Sequence, residues 1–235
     1  MSTISVIIPA YNMELYMAEC LKSIIKQDDL PDEIIVIDDG STDSTSTIVE
    51  LFQRECTAIK YIKQKNGGLC SARNTGLRIA TSDYVIFLDS DDCLGKGTIK
   101  KCRNIIDTHQ PDIIIGRSEL FTDMKRWIPE SYEKICDRDR ITTFSNEPQL
   151  VNCISVSSKC FNRNFLKKTG VFFYEGVMMT EDHWFSLMTF SLSNKLFITR
   201  QIMFSYRRNR LGASTVTNRL SYYTDMYKVF CISLN

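Results

Sequence analysis

The segment Val85 to Asp92, VIFLDSDD, constrains the fold of this chain more than any other. Four apolar residues run directly into an Asp-Ser-Asp-Asp cluster. A continuous apolar run of this kind is the pattern of a strand buried on both faces, and the acids sit where such a strand emerges. In open α/β sheets, ligands bind in the crevice beyond the carboxyl ends of the strands. Three carboxylates crowded together there repel one another, so the cluster asks for a cation. Hard divalent ions take oxygen ligands and commonly arrive with phosphate-bearing substrates. A metal-assisted site for a nucleotide or sugar phosphate is the first expectation.

The surrounding elements alternate with a short period. Residues 4–8 read as an apolar strand closed by Pro9, and 14–26 carry apolar residues at helical spacing. Residues 33–37 form a second strand that ends in Asp38-Asp39-Gly40, and the run STDSTS supplies N-cap residues for a helix reaching about Arg54. A weaker strand over 58–62, a turn at Asn66-Gly67-Gly68 and a helix over 71–80 follow. Residues 84–88 are the fourth strand, 97–108 a helix, and 112–115 a fifth strand. This order predicts an α/β fold with right-handed crossovers, a mostly parallel sheet and helices on both faces. The period breaks after about Ser118. Residues 119–146 read as irregular, 149–153 and 182–192 as helices, and 196–198 and 203–206 as short strands.

Composition narrows the functional classes. At 235 residues the chain suits one large domain, with 1–118 as a nucleotide-binding half and 119–235 as an acceptor-side half. The 29 basic and 28 acidic residues give a formal net charge of +1, which argues against a nucleic-acid binder. Nine cysteines, an odd number with no CxxC pair, read as free thiols of a reducing cytosol rather than a disulfide framework. The N-terminus lacks the pattern of a signal peptide, and no stretch approaches the roughly 18 apolar residues of a membrane span. A cytoplasmic protein is the expectation.

Polar clusters at Pro9-Ala10-Tyr11-Asn12, Asp38-Asp39-Gly40 and Asp89-Ser90-Asp91 all fall at strand carboxyl ends and would line one edge of the sheet. Asp38 or Asp39 could accept from a base N–H or a ribose hydroxyl, and Tyr11 could stack on a base. The plainer alternative is that both acids only start the next helix, favoured by its dipole. The stretch GGLCSARNTGL, residues 67–77, pairs a glycine turn with a helix that carries Arg73. It is neither a Walker loop nor a GxGxxG fingerprint.

Together SVIIPAYN (5–12), DDGSTDST (38–45), GGLCSARNTGL (67–77) and FLDSDD (87–92) resemble family 2 glycosyltransferases of the GT-A fold. The resemblance continues through KCFNRNFL (159–166), EDHWF (181–185) and YRRNRLGAST (206–215). It implies a Rossmann-like sheet with an irregular acceptor-side second half. It implies an inverting transfer of a sugar from a nucleotide-sugar, UDP-linked by preference, to a saccharide or lipid-linked glycan in surface polysaccharide synthesis. Pro9, Tyr11 and Asn12 match the family's first nucleotide loop, and Asp39 its uracil-contacting acid. Arg73 and Asn74 match the glycine-turn motif near the nucleotide. Asp89 and Asp91 are the outer acids of the Asp-X-Asp motif, with Ser90 between them as a nucleotide contact. Asp91 would hold Mn²⁺ or Mg²⁺ against the diphosphate, and Asp89 would sit near the ribose or the metal. Asp182 matches the catalytic base. His183, beside it in the sequence, reads as a helix residue near the site, with a metal role as the alternative. Arg207 or Arg208, of which Arg208 is taken as the nucleotide contact, matches with Ser214 and Thr215 a segment that covers the donor phosphates. Met13-Glu14 stands where the family commonly has an acidic pair.

Two features stay open. The basic run Arg207-Arg208-Asn209-Arg210 is a solvated loop, a clamp on the donor diphosphate, or a dock for an anionic lipid-linked acceptor. The apolar face of the helix expected near 220–233 suits core packing or a homodimer, or else peripheral membrane association. Two competing classes are weighed against the transferase. The Asp-X-Asp segment also resembles the nucleophile motif of haloacid-dehalogenase phosphatases, but that motif usually opens its chain. A catalytically inactive nucleotide-sugar-binding scaffold of the same fold would not need both Asp91 and Asp182.

Overall fold

The computed structural model describes residues 1–175 and 180–208. The first half follows the alternation read from the sequence: β1 (Ile4–Ala10), α1 (Met17–Ile25), β2 (Glu33–Asp38), α2 (Thr45–Glu55), β3 (Ile59–Lys63), α3 (Leu69–Ile79) and β4 (Tyr84–Phe87). A two-residue strand β5 (Cys93–Leu94), α4 (Thr98–His109) and β6 (Ile113–Phe121) come next. The second half supplies β7 (Arg126–Trp127), α5 (Glu130–Ile135), β8 (Arg140–Thr142), β9 (Lys159–Asn162), α6 (Arg163–Thr169), α7 (Glu181–Leu192) and β10 (Leu196–Arg207).

Every residue of β1, β2 and β4 is buried, because these strands are covered on both faces. Successive side chains therefore feed two apolar layers. Ile4, Val6 and Ile8 of β1 join one layer with Met17, Leu21 and Ile24 of α1. Ile7, Ile35, Val85 and Phe87 join the other, with Ala72 of α3 and Phe185 and Phe190 of α7. The close seat of α3 on β1 needs Gly76, since a Cβ there would stand 2.3 Å from Ile7 Cγ2. Substitution would force overpacking.

The strand order is β3-β2-β1-β4-β9-β6-β10-β5, with β7 paired to β6 and β8 to β10. The strands β3, β2, β1 and β4 are mutually parallel, as the alternation predicts. The sheet as a whole is mixed, because β9 runs antiparallel between β4 and β6. The helix expected over 149–153 is instead a 3-10 turn over Pro148–Asn152. The two short strands expected after residue 195 are one long strand, β10, whose pairing with β6 shifts register between Ile198 and Phe204.

Loops 11–14, 39–44 and 88–92 leave β1, β2 and β4 at the same edge. Backbone bonds from Asp39 N to the Ala10 carbonyl (2.8 Å) and from Leu88 N to the Ile7 carbonyl (2.9 Å) hold their roots together. Among the described residues no helix is long and apolar enough to cross a membrane. All eight cysteines described are free thiols. Residues Asn209, Arg210, Ser214 and Thr215, and the helix expected near 220–233, lie outside the described residues.

Candidate active site

The loop after β1 is stitched to the loop after β2. Asn12 takes a positive φ of 53°. Its N–H donates to Ser41 Oγ at 3.0 Å, while its Oδ1 accepts from Thr42 N at 2.9 Å. Glu14 accepts from Ser44 N at 3.0 Å, and Met13 N donates to Thr45 Oγ1 at 2.8 Å. The Met13-Glu14 pair thus works as a loop fastener. Pro9 is buried beneath this edge, and the Tyr11 ring stands 47% exposed beside it.

Asp38 and Asp39 divide their work. Asp38 is buried and accepts from Ser41 N at 2.7 Å and from the Tyr61 hydroxyl. Burial pulls its carboxyl upward, but those donors outweigh it and hold the group below the usual range. Asp39 accepts from Gly67 N at 2.9 Å, Gly68 N at 2.7 Å and Gln64 Nε2 at 2.8 Å. Gly68 turns there with φ of 87°, a conformation open to glycine. The carboxylate expected at a base therefore also sets the glycine turn that starts α3.

Arg73 lies at the centre of the site. Its side chain is 1% exposed, yet its guanidinium meets Asp89 Oδ1 at 2.7 Å, Asp182 Oδ1 at 2.8 Å and Glu181 Oε1 at 3.8 Å. The Phe173 ring covers it, with the guanidinium carbon 5.1 Å from the ring centroid. One buried cation thus joins an acid of the Asp-Ser-Asp-Asp loop, carried at the end of β4, to two acids at the start of α7. Asp182 Oδ2 accepts in addition from Val156 N at 3.2 Å. Burial, and then the neighbouring Asp182, push the Glu181 carboxyl up to about 7, against the pull of Arg73. Burial also lowers the basicity of the His183 imidazole.

Asn74 faces elsewhere. Its amide donates to the Phe173 carbonyl at 2.8 Å and accepts from Phe173 N at 2.9 Å. That pairing positions the ring that covers Arg73, so Asn74 reaches the site through Phe173. Ser90 is buried in its loop.

The Asp-X-Asp loop is closed from the far side by β10. Arg207 N donates to Asp92 Oδ1 at 2.7 Å, and its guanidinium donates to the Asp91 carbonyl at 3.0 Å while pairing with Glu19. Arg207 is therefore committed to the loop, whereas Arg208 is exposed beside Tyr206. Burial, with Asp91 and Asp89 adding to it, pushes the Asp92 carboxyl well up. Its buried Oδ2 has no hydrogen-bond partner. This excess of negative charge and oxygen ligands fits a hard divalent cation. Among the described residues no three His, Cys, Asp or Glu side chains converge on one metal position. A cation here would take one or two protein carboxylates and complete its shell from phosphates, the habit of Mg²⁺-like ions.

Residues 5–197 match the family described as Glycosyl transferase family 2. The chain belongs to that family. Across 224 residues it is 31% identical to glycosyltransferase GlyA of Streptococcus pneumoniae, covering 91% of this chain and 32% of GlyA. Across 216 residues it is 30% identical to the poly(ribitol-phosphate) β-N-acetylglucosaminyltransferase TarS of Staphylococcus aureus, covering 90% of this chain and 36% of TarS. The structure of TarS 1–349 in complex with UDP-GlcNAc superposes with a TM-score of 0.84 at 28% identity, covering 97% of this chain and 65% of that one. A mannosyltransferase from Pyrobaculum calidifontis in complex with GDP-Man and Mn²⁺ shares the fold, with a TM-score of 0.69 at 18% identity over 99% of this chain and 64% of that one. The chain spans about a third of the length of GlyA and TarS.

For a family 2 member, sequence motifs alone left several site residues unmarked. Tyr61, Phe173 and Val156 carry no motif that signals their contacts with Asp38, Arg73 and Asp182. Lys159 opens the KCFNRNFL motif, yet only packing reveals that its side chain is wholly buried near Asp182.

Proposed function

We propose that this family 2 member is an inverting glycosyltransferase that moves a sugar, N-acetylglucosamine by preference, from a UDP-sugar to a saccharide or phosphate-containing glycan acceptor of surface polysaccharide synthesis. The observation that carries this reading is Arg73, one buried guanidinium shared by Asp89 and Asp182. It sets the expected donor-side acid and the expected base on either side of a single fixed cation. The UDP-GlcNAc complex of TarS and the poly(ribitol-phosphate) specificity in its name support the donor and acceptor classes.

In this reading Tyr11 stacks on the uracil and Asp39 accepts its N–H, with Pro9 and Asn12 shaping the loop. Asp91 and Asp89, with Ser90 between them, face the ribose and diphosphate, and Arg208 lies over the phosphates. A bound Mn²⁺ or Mg²⁺ would neutralise charge on the leaving diphosphate. The acceptor hydroxyl attacks the anomeric carbon opposite the leaving group, and its proton passes to the Asp182 carboxylate as the C–O bond to UDP breaks. General-base assistance of this kind contributes about 10²–10⁴-fold. Asp182 is already oriented by Arg73 and by the Val156 N–H. Residues 1–118 and 119–235 act as nucleotide and acceptor halves of one domain, a reading supported by β9 lying between β4 and β6.

Calorimetric titration of UDP against GDP, first in manganese and then in EDTA, tests the donor assignment. Manganese-dependent binding that favours UDP is expected. Binding of neither nucleotide would remove the transferase reading, and a preference for GDP would remove the UDP-sugar.

A further inference from the structure

Three consecutive carbonyls, those of Cys153, Ile154 and Ser155, are each held by a buried side chain. Lys159 Nζ, on β9, donates to the Cys153 carbonyl at 2.7 Å and also to the Ser155 carbonyl. Ser186 Oγ, on α7, donates to the Ile154 carbonyl. The next backbone N–H along the chain, that of Val156, is the one that donates to Asp182 Oδ2. Segment 153–156 is therefore a strap whose first three carbonyls are tied down by buried side chains and whose last N–H donates to the expected base.

Lys159 is the costly member of this arrangement. Its side chain is fully buried, beneath the Phe190 ring at 5.4 Å, and its hydrogen-bond acceptors are neutral carbonyls. Burying an ammonium costs several kcal/mol, and an apolar side chain of similar length would fill the space without that penalty. Burial accordingly lowers the Lys159 ammonium to about 8, while Asp182 pulls it the other way. That attraction is mutual, so a charge on Lys159 favours Asp182 where it stands. Ser186 lies one turn after Asp182 on the same helix, so its bond to Ile154 locks the helix to the strap that the lysine organises.

We propose that Lys159 and Ser186 are positioning residues for the transfer step, which orient Asp182 by fixing the 153–156 strap rather than by touching substrate. The proposal rests on the reading of Asp182 as base. It gives a role to a charged side chain that the fold buries against the Phe190 ring.

The test is a double-mutant cycle read by UDP release from UDP-GlcNAc in manganese, with water as the acceptor hydroxyl that takes the sugar and gives its proton to Asp182. Lys159→Met is expected to lower kcat about 10–10²-fold while KM for UDP-GlcNAc and the affinity for UDP stay within about twofold. In an Asp182→Asn background, itself expected to lose at least about 10²-fold, the same substitution should change turnover by no more than about twofold, because residues acting as a unit are not additive. Ser186→Ala removes a single oxygen and serves if Lys159→Met does not fold. It is expected to lower kcat about 3–10-fold, again with no further loss in the Asp182→Asn background. A loss in Lys159→Met that adds fully to that of Asp182→Asn would overturn the proposal, as would a rise in KM with kcat intact. Either result would leave Asp182 as base untouched. Full turnover in Asp182→Asn alone would overturn the base assignment and the proposal with it.

Discussion

Glu181 and Asp182 are adjacent in the chain and share one guanidinium, yet their environments separate them. Asp182 accepts hydrogen bonds at both oxygens, from Arg73 and from Val156 N. Glu181 meets Arg73 only at 3.8 Å, and its second oxygen is buried without a hydrogen-bond partner. Burial and the Asp182 charge push its carboxyl up to about 7. A free glutamate titrates near 4.3, so the unfolded chain gives up this proton first. The stabilising contribution of the proton is complete below about pH 4.3 and is lost as pH rises through about 7. Glu181→Gln should therefore gain on the parent as pH rises from about 4.5 to about 8, by on the order of 1–3 kcal/mol. Denaturant titrations at the two pH values measure this, and an unchanged difference would place Glu181 in an ordinary environment. The sequence shows two acids at a helix start, where the dipole favours them anyway. Which of the two is starved of donors depends on Val156 and Arg73, residues 26 and 109 positions from Asp182.

At the scale of elements, the four parallel strands are tied at the edge opposite the site by Glu33. It accepts from Ser5 of β1, from exposed Lys60 of β3, and from Thr81 and Ser82 just before β4. Burial raises this carboxyl, but the donors outweigh it and hold the group down at about 2. The stabilisation is present above the unfolded value near 4.3 and is lost as pH falls through about 2. Glu33→Gln should cost on the order of 2 kcal/mol near neutrality, less whatever the solvated Lys60 partner fails to contribute. Its acid unfolding should also lose steepness between about pH 4.3 and 2. Equal stability of the two proteins at pH 7 would show that the clamp is redundant. Strands β1, β2 and β4 were legible because each is a buried apolar run punctuated by turn residues, and the half-exposed β3 read as the weaker strand it is. Strand β9 was not legible, since KCFN is short and its registered pairs with β4 and β6 join residues 74–78 and 44–48 positions apart. No local pattern encodes an antiparallel insertion across that distance. The 3-10 turn over Pro148–Asn152 escaped for a related reason: five residues cannot display a helical period long enough to distinguish it.

On the scale of the molecule, one sheet edge gathers carboxylates that oppose one another. The loop after β4 holds Asp89, Asp91 and Asp92, and the charges of the first two help push the Asp92 carboxyl well up. Arg73 answers Asp89, and Arg207 answers Asp92 through its backbone N–H, from opposite halves of the chain. The sequence displayed the crowding, because the three acids stand together in it. It did not display the two arginine contacts that make the edge a joint between halves. A ligand that bound across this edge would stabilise the fold by mass action, about 2.7 kcal/mol at a concentration 100 times its Kd. For a protein of this size that corresponds to a rise in Tm of about 5–10 °C. UDP with manganese is expected to produce such a rise, and UDP in EDTA a smaller one. Asp91→Ala should lose the manganese-dependent part of the rise, because the cation then keeps too few protein ligands. A variant with the full manganese-dependent rise would place the cation elsewhere on the edge.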